Sequence, residues 1–360
     1  MMNPQAGCSL ARCPVSRASR RERERAMAEK TINEQLAEQV GAADSKIIAA
    51  IFGTLTDENE AKLLLAAAPP ATIEELSEKT GIPAGDIEGM IDPLFRKGLL
   101  FKSKKQDGTR YYRVRHLLQM HDSTAVAIDP SRQMLDLWKQ YMVEEWADFS
   151  RKFEERLPSS VMRVVPVNVS VELNTQILAF DDVKNLIDGA KKLAVTKCSC
   201  RAIDGACGKE LDVCIQVDRA ADYAIERGTG RQISKEETVE LLKRCEEEGL
   251  VHVAENKKAL GHVICNCCSD CCINWPSVRP EMGTFVAPSR YKAWVDSEEC
   301  IGCDLCLERC YFGAMSMEEE GEVAVVDAEN CMGCGLCQVV CPTDAILMQE
   351  ARPEEFVPGN

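Results

Sequence analysis

Aromatic residues make up only 5% of this 360-residue chain, and no run of 18 or more apolar residues occurs in it. The second absence excludes a membrane-spanning helix. No apolar segment follows the first residues, so no secretory signal is read. Basic side chains are scarce at one end: residues 296–360 hold 15 acidic and 2 basic residues, a net of −13. With four histidines in all, no Ser–His–Asp or Cys–His catalytic arrangement stands out. No P-loop or Rossmann pattern occurs either, which argues against a nucleotide site. Whether the chain is an enzyme stays open; an electron-transfer component fits these absences better than a self-sufficient enzyme.

What is abundant is cysteine, with 20 residues. Without a secretion signal, that count points to metal ligation in a reducing cytoplasm rather than to disulfides. Eight of them repeat one spacing: Cys300-x-x-Cys303-x-x-Cys306-x-x-x-Cys310, then Cys331-x-x-Cys334-x-x-Cys337-x-x-x-Cys341-Pro342. Two-residue gaps on a tight loop let three thiolates converge on three irons of one cubane, while the fourth cysteine completes the other. One [4Fe-4S] cluster then takes Cys300, Cys303, Cys306 and Cys341, and the other Cys331, Cys334, Cys337 and Cys310. The crossing holds the clusters close enough for an electron to pass. Zinc sites more often set two close pairs across a longer spacer. Residues 291–349 resemble the bacterial two-cluster ferredoxins, with one departure: Tyr311 stands where that pattern has the proline seen at Pro342. The acidic balance suits docking on a basic patch of a partner oxidoreductase, and it also keeps a domain soluble.

The first 26 residues carry six arginines against two glutamates and read as a disordered basic tail. Met27 opens a more ordinary sequence and is an alternative start to Met1. Within residues 27–120, helices are expected over 57–68, 72–80 and 84–97, with Thr72 and Glu75 as a capping box. A strand from Gly98, a turn at Gln106-Asp107-Gly108-Thr109 and a returning strand at 111–114 complete an order that resembles winged helix-turn-helix domains. DNA binding is disfavoured, because the recognition helix would offer Asp86, Glu88 and Asp92 where phosphates need cations. The wing is basic (Lys102, Lys104, Lys105, Arg110, Arg113), which keeps nucleic acid in play beside protein contact. Residues 121–160 read as a helical connector, with Leu135, Trp138, Met142 and Trp146 as packing residues.

Residues 161–290 read as a cysteine-rich α+β unit, with a strand over 161–169 and a helix over 181–193. Cys198, Cys200, Cys207 and Cys214 form one sequence group, and Cys265, Cys267, Cys268, Cys271 and Cys272 a second. If the groups meet, they hold one or two further iron–sulfur clusters or a zinc ion. Cys245 reads as a buried thiol and His262 as a surface or core histidine. Ser234 and Glu237 make a second capping box, and Gly228-Thr-Gly230 ahead of that helix is a weak anion-site candidate. The order Val-Pro-Val-Asn, Cys-Ser-Cys-Arg, Asp-Val-Cys, Gly-Arg-x-Ile-Ser-Lys-Glu-Glu, Gly-Leu-Val-His and Ile-Cys-Asn-Cys-Cys before the paired spacing resembles a family of 4Fe-4S binding proteins of anaerobes over 161–349. Ser269-Asp270 interrupt that family's closing cysteine run.

The expected architecture is therefore α+β: a winged-helix-like unit, a cysteine-rich middle, a 2[4Fe-4S] ferredoxin-like unit and a tail over 350–360. The expected role is one-electron relay with a partner redox subunit. The alternatives are a redox-sensing regulator acting through the winged helix, and a small reductase using the middle site. Oligomeric state is not read from the sequence.

Overall fold

The computed structural model describes residues 30–106, 108–167, 181–259, 261–273, 275, 285–319 and 322–359. The basic tail, Asp107 of the expected turn and residues 168–169 of the expected strand lie outside them. Five helices open the described chain: α1 (Ile32–Gln39), α2 (Lys46–Leu55), α3 (Glu58–Ala66), α4 (Ile73–Thr80) and α5 (Ala84–Lys97). Capping boxes fix where three of them start. Thr31, Asp57 and Thr72 each accept from the third helical N–H, and a glutamate at that position returns the bond. An antiparallel hairpin follows, β1 (Leu100–Lys105) against β2 (Gly108–Arg113), with Ala71 bridging Tyr111. This is the expected order of helix, turn, helix and hairpin.

The connector is three helices in succession: α6 (Leu117–Ala125), α7 (Arg132–Glu144) and α8 (Trp146–Glu154). Trp138, Tyr141 and Trp146 are fully buried, and Trp138 Nε1 donates to Thr124 Oγ1 at 2.9 Å. Burial of such side chains contributes about 2 kcal/mol each or more, so these aromatics are core.

A seven-stranded sheet forms the middle of the molecule: β3 (Met162–Val164), β4 (Leu193–Thr196), β5 (Cys214–Val217), β6 (Gly230–Ile233), β7 (Val251–Glu255), β8 (Val263–Cys267) and β9 (Val286–Ala287). Their order is β6-β4-β5-β8-β7-β3-β9, antiparallel throughout except where β9 joins β3. Helices α9 (Val183–Gly189), α10 (Ser199–Asp204), α11 (Arg219–Arg227) and α12 (Lys235–Glu248) accompany it. The helix expected over 181–193 is shorter at both ends. Asp182 caps it, and Ala190 turns extended so that Leu193 can enter β4, where its β-rich run Leu-Ala-Val-Thr pairs on both sides. Asp181 is withdrawn into a buried bridge, with Oδ1 3.1 Å from Arg163 and Oδ2 3.0 Å from Arg290.

The last unit pairs β10 (Tyr291–Val295) with β13 (Ile346–Glu350) and β11 (Met315–Met317) with β12 (Ala324–Val326). Short helices α13 (Leu305–Arg309) and α14 (Leu336–Val339) lie between. The stretch read as a tail folds back: Ala351 and Arg352 N–H groups donate to Arg290 O, and Val357 is buried.

Candidate iron–sulfur and thiol centres

The two cysteine copies share one backbone path. Gly302 and Gly333, 31 residues apart, both take left-handed φ (62° and 67°), and so do Asp304 and Gly335 (62° and 79°). A Cβ on Gly333 would stand 2.0 Å from Tyr291 O, so only glycine lets that loop lie on β10. Each loop then enters its short helix, which carries the third cysteine inward: Cys306 and Cys337 are both 8% exposed.

A cavity is lined by Cys300, Cys303, Cys306 and Cys341, with Ile301, Met317, Ala324 and Ile346 around them. Cys341 is thus brought from the second copy to the loop of the first. On the other side Cys334 and Cys337 lie within electrostatic range of Cys331 and Cys310. Ala324 N–H donates to Cys300 Sγ at 3.5 Å and Ala314 N–H to Cys310 Sγ at 3.4 Å. Such amide donors stabilise anionic sulfur. Burial pushes the Cys306 thiol up to about 11 and Cys334 up to about 12. Thiol donors, apolar walls and amide N–H groups make a site that fits iron–sulfur chemistry.

Residues 293–348 match the family model described as a 4Fe-4S dicluster domain. The C-terminal unit is a 4Fe-4S ferredoxin-type domain. No curated protein and no solved structure matches the chain. Among the described residues, no helix is long and apolar enough to cross a membrane.

The ferredoxin-type domain is built into the rest of the protein. Val167 N–H donates to Cys334 O at 2.9 Å, and Ser289 Oγ to Gly333 O at 2.7 Å. Tyr311, the departure from the proline pattern, donates its hydroxyl to Gly249 O beyond the end of α12. Arg309 and Lys209 donate to the α12 carbonyls of Glu247 and Glu248 at 3.1 and 3.0 Å. Cations there complement the negative end of the helix dipole.

The middle cysteines do not sort by sequence group. Strand β8 points Cys265 and Cys267 to one face, as period two requires. There Cys267 packs with Val251, Val253 and Cys272, whereas Cys268 and Cys271 pack with Ile215 and Ile264 on the other side. Hydrogen-bonding contacts run Cys198–Cys200–Cys272–Cys267–Cys265–Cys214. Those from Cys214 and Cys267 hold Cys265 well below an ordinary thiol. The remaining three, Cys207, Cys268 and Cys271, have their sulfurs within 4.8 Å of one another. Burial opposes ionisation of Cys268, but hydrogen bonds from Arg201 and the Cys271 amide outweigh it and lower its pKa.

Arg201 is the residue that sequence reasoning passed over, although it stands in Cys-Ser-Cys-Arg. It is 4% exposed, donates to the carbonyls of Glu210 and Asn266, and lies against thiols of both sets. Cys245 is a buried thiol raised by that burial. His262 is exposed on the approach to β8. The Gly228–Gly230 segment is no anion cradle: Gly228 caps α11, Gly230 opens β6, and the α12 N-terminus is already closed by Ser234 and Glu237.

Proposed function

We propose that this protein relays single electrons through two [4Fe-4S] clusters to or from a partner oxidoreductase in the cytoplasm. One cluster is assigned to Cys300, Cys303, Cys306 and Cys341, and the other to Cys331, Cys334, Cys337 and Cys310. The observation that carries the reading is the cavity lined by thiols from both copies, Cys341 among them. When bound, such clusters supply one-electron redox chemistry. The protein's part is to set access. The first loop is the outer one: Cys303 is exposed, with Ile301 64% and Leu305 43% exposed beside it. An apolar spot within an acidic surface suits a partner whose basic rim steers the encounter. The second loop lies under Val167, Ser289 and Tyr291 and faces the middle unit.

The N-terminal unit reads as a winged helix used for contact inside the protein. Its wing is largely engaged: Lys102 pairs with Glu226, Arg110 with Glu75, and Arg113 donates to Val114 O and Gln39. The exposed face of α5 presents Asp86, Glu88 and Asp92. The middle unit reads as a metal-binding link between this module and the dicluster.

Anaerobic purification with iron and sulfide quantification tests the relay. About eight irons per chain are expected from the dicluster alone, with two interacting reduced clusters by electron paramagnetic resonance. Iron-free protein would overturn it. One contact favours a second reading, a redox-responsive regulator: Ser199, between Cys198 and Cys200, donates to Asp122 on α6 at 2.9 Å. Salt-resistant, sequence-specific DNA binding that differs between oxidised and reduced protein would establish that reading instead.

A further inference from the structure

We propose that Cys207, Cys268 and Cys271 form a mononuclear site for a thiophilic divalent ion of the zinc class, separate from the six-thiol set and from the dicluster. The proposal deepens the metal-binding reading of the middle unit. Its basis is how the fold divides two adjacent cysteine pairs. Cys267 and Cys272 go to one packing cluster, and Cys268 and Cys271 to another. Neighbours in sequence are thereby packed on different sides of the sheet.

Size separates the chemistries. Three thiolates on one tetrahedral zinc, at about 2.3 Å each, stand about 3.8 Å apart. Three thiolates on a cubane each bind a different iron and are spread wider. The sulfurs of Cys207, Cys268 and Cys271 lie mutually within 4.8 Å, and no other trio of His, Cys, Asp or Glu donors among the described residues does so. The dicluster cysteines supply the contrast, since they line a cavity and do not converge to that degree.

Charge points the same way. Arg201 is buried; its guanidinium donates to the carbonyls of Glu210 and Asn266 and lies against thiols of both sets, and its Nε has no hydrogen-bond partner. A buried cation is costly unless an anion balances it. Three thiolates around a divalent ion carry one net negative charge, which Arg201 is placed to balance. Among the described residues no fourth His, Cys, Asp or Glu donor joins the trio. On this proposal an exchangeable ligand takes the fourth position, the arrangement of zinc sites that react rather than brace. Cys207, the least buried of the three, sets the side from which an external ligand enters. A soft donor such as a small thiol matches the ion.

The test uses full-length protein purified anaerobically, with zinc, iron and sulfide measured together. About one zinc per chain is expected; Cys268→Ser and Cys271→Ser lose it with iron unchanged, and Cys245→Ser keeps it. Cobalt(II) loading should give tetrahedral thiolate bands that shift on adding 2-mercaptoethanol. In the wild-type protein, Cys207, Cys268 and Cys271 should become alkylated together when zinc is chelated, a readout independent of how the variants fold. Iron falling by about four in Cys268→Ser would assign the thiols to a cubane and overturn the proposal. So would protein that retains dicluster iron but binds neither zinc nor cobalt, or cobalt bands that ignore the thiol. Failure of the relay reading would appear differently, as missing iron with zinc retained.

Discussion

Lys209 Nζ donates to the hydroxyl of Tyr311 at 3.0 Å, and that hydroxyl donates onward to Gly249 O. A residue next to a cluster-loop cysteine is thereby tied to the far end of α12. Replacement Tyr311→Phe should keep iron content while lowering stability by about 1–2 kcal/mol, the usual cost of a lost hydrogen bond with its acceptor left buried. Urea unfolding of the anaerobic protein, followed by cluster absorbance, measures it. Tyr311→Pro, which restores the regular spacing, should keep clusters too and raise protease sensitivity where the ferredoxin-type domain meets α12. Unchanged stability in Tyr311→Phe would show that the contact is idle.

Arg227 should be the strongest single tie between the N-terminal module and the sheet. It is 5% exposed and donates to Phe95 O at 3.1 Å, Arg96 O at 3.4 Å and Ser123 O at 2.6 Å. Arg227→Met removes the guanidinium donor from all three carbonyls and should cost about 3 kcal/mol. Gly98 has φ of 81°, and a Cβ there would stand 2.6 Å from Arg227 Nη2 and 2.7 Å from Ser123 O. Gly98→Ala should cost about 2 kcal/mol alone, and less in the Arg227→Met background. A double-mutant cycle read by thermal unfolding should return coupling of about 1 kcal/mol.

On the proposed assignment, the two cluster sites should fail in order. Cys303 is exposed, whereas the second loop is covered by Val167 and Ser289. An iron chelator should remove about four irons in a fast phase and about four in a slow one, given four per site. Cys303→Ser should abolish the fast phase selectively. Single-phase release would contradict the difference in access.

Alkaline pH should act on the hairpin contact. Burial, then the hydrogen bond to Tyr223, raises Tyr112 to about 12 from 10.0. A raised pKa means the folded state holds the proton more tightly. Its contribution is complete below about pH 10 and is lost as pH rises through about 12. Tyrosinate absorbance should show a late-titrating phenol that disappears in Tyr112→Phe.

Local signals carried much of the fold into view. Capping boxes at Thr72–Glu75 and Ser234–Glu237 stand where their residue types require, because a cap depends on four neighbouring residues. The 4Fe-4S dicluster domain was equally legible, since the repeat at Cys300 and Cys331 is local in the sequence. The division of Cys267 from Cys268 was not. It depends on which face of β8 each residue meets, and that follows from strand pairings with β5 and β7 many residues away. The start of the helix expected over 181–193 was misplaced for a similar reason: Asp181 is drawn away by Arg163 and Arg290, partners that no local window contains.

That bridge also bears on the order in which the chain assembles. During synthesis Arg163 and Asp181 emerge more than one hundred residues before Arg290, and Arg290 in turn holds Glu350 near the end. Until then the Asp181 carboxylate has one of its two guanidinium partners. The buried Asp181 carboxylate is therefore fully paired only once the C-terminal segment is in place. A dicluster unit secured in this way is no portable cassette, and grafting residues 291–349 elsewhere would leave its founding contact behind.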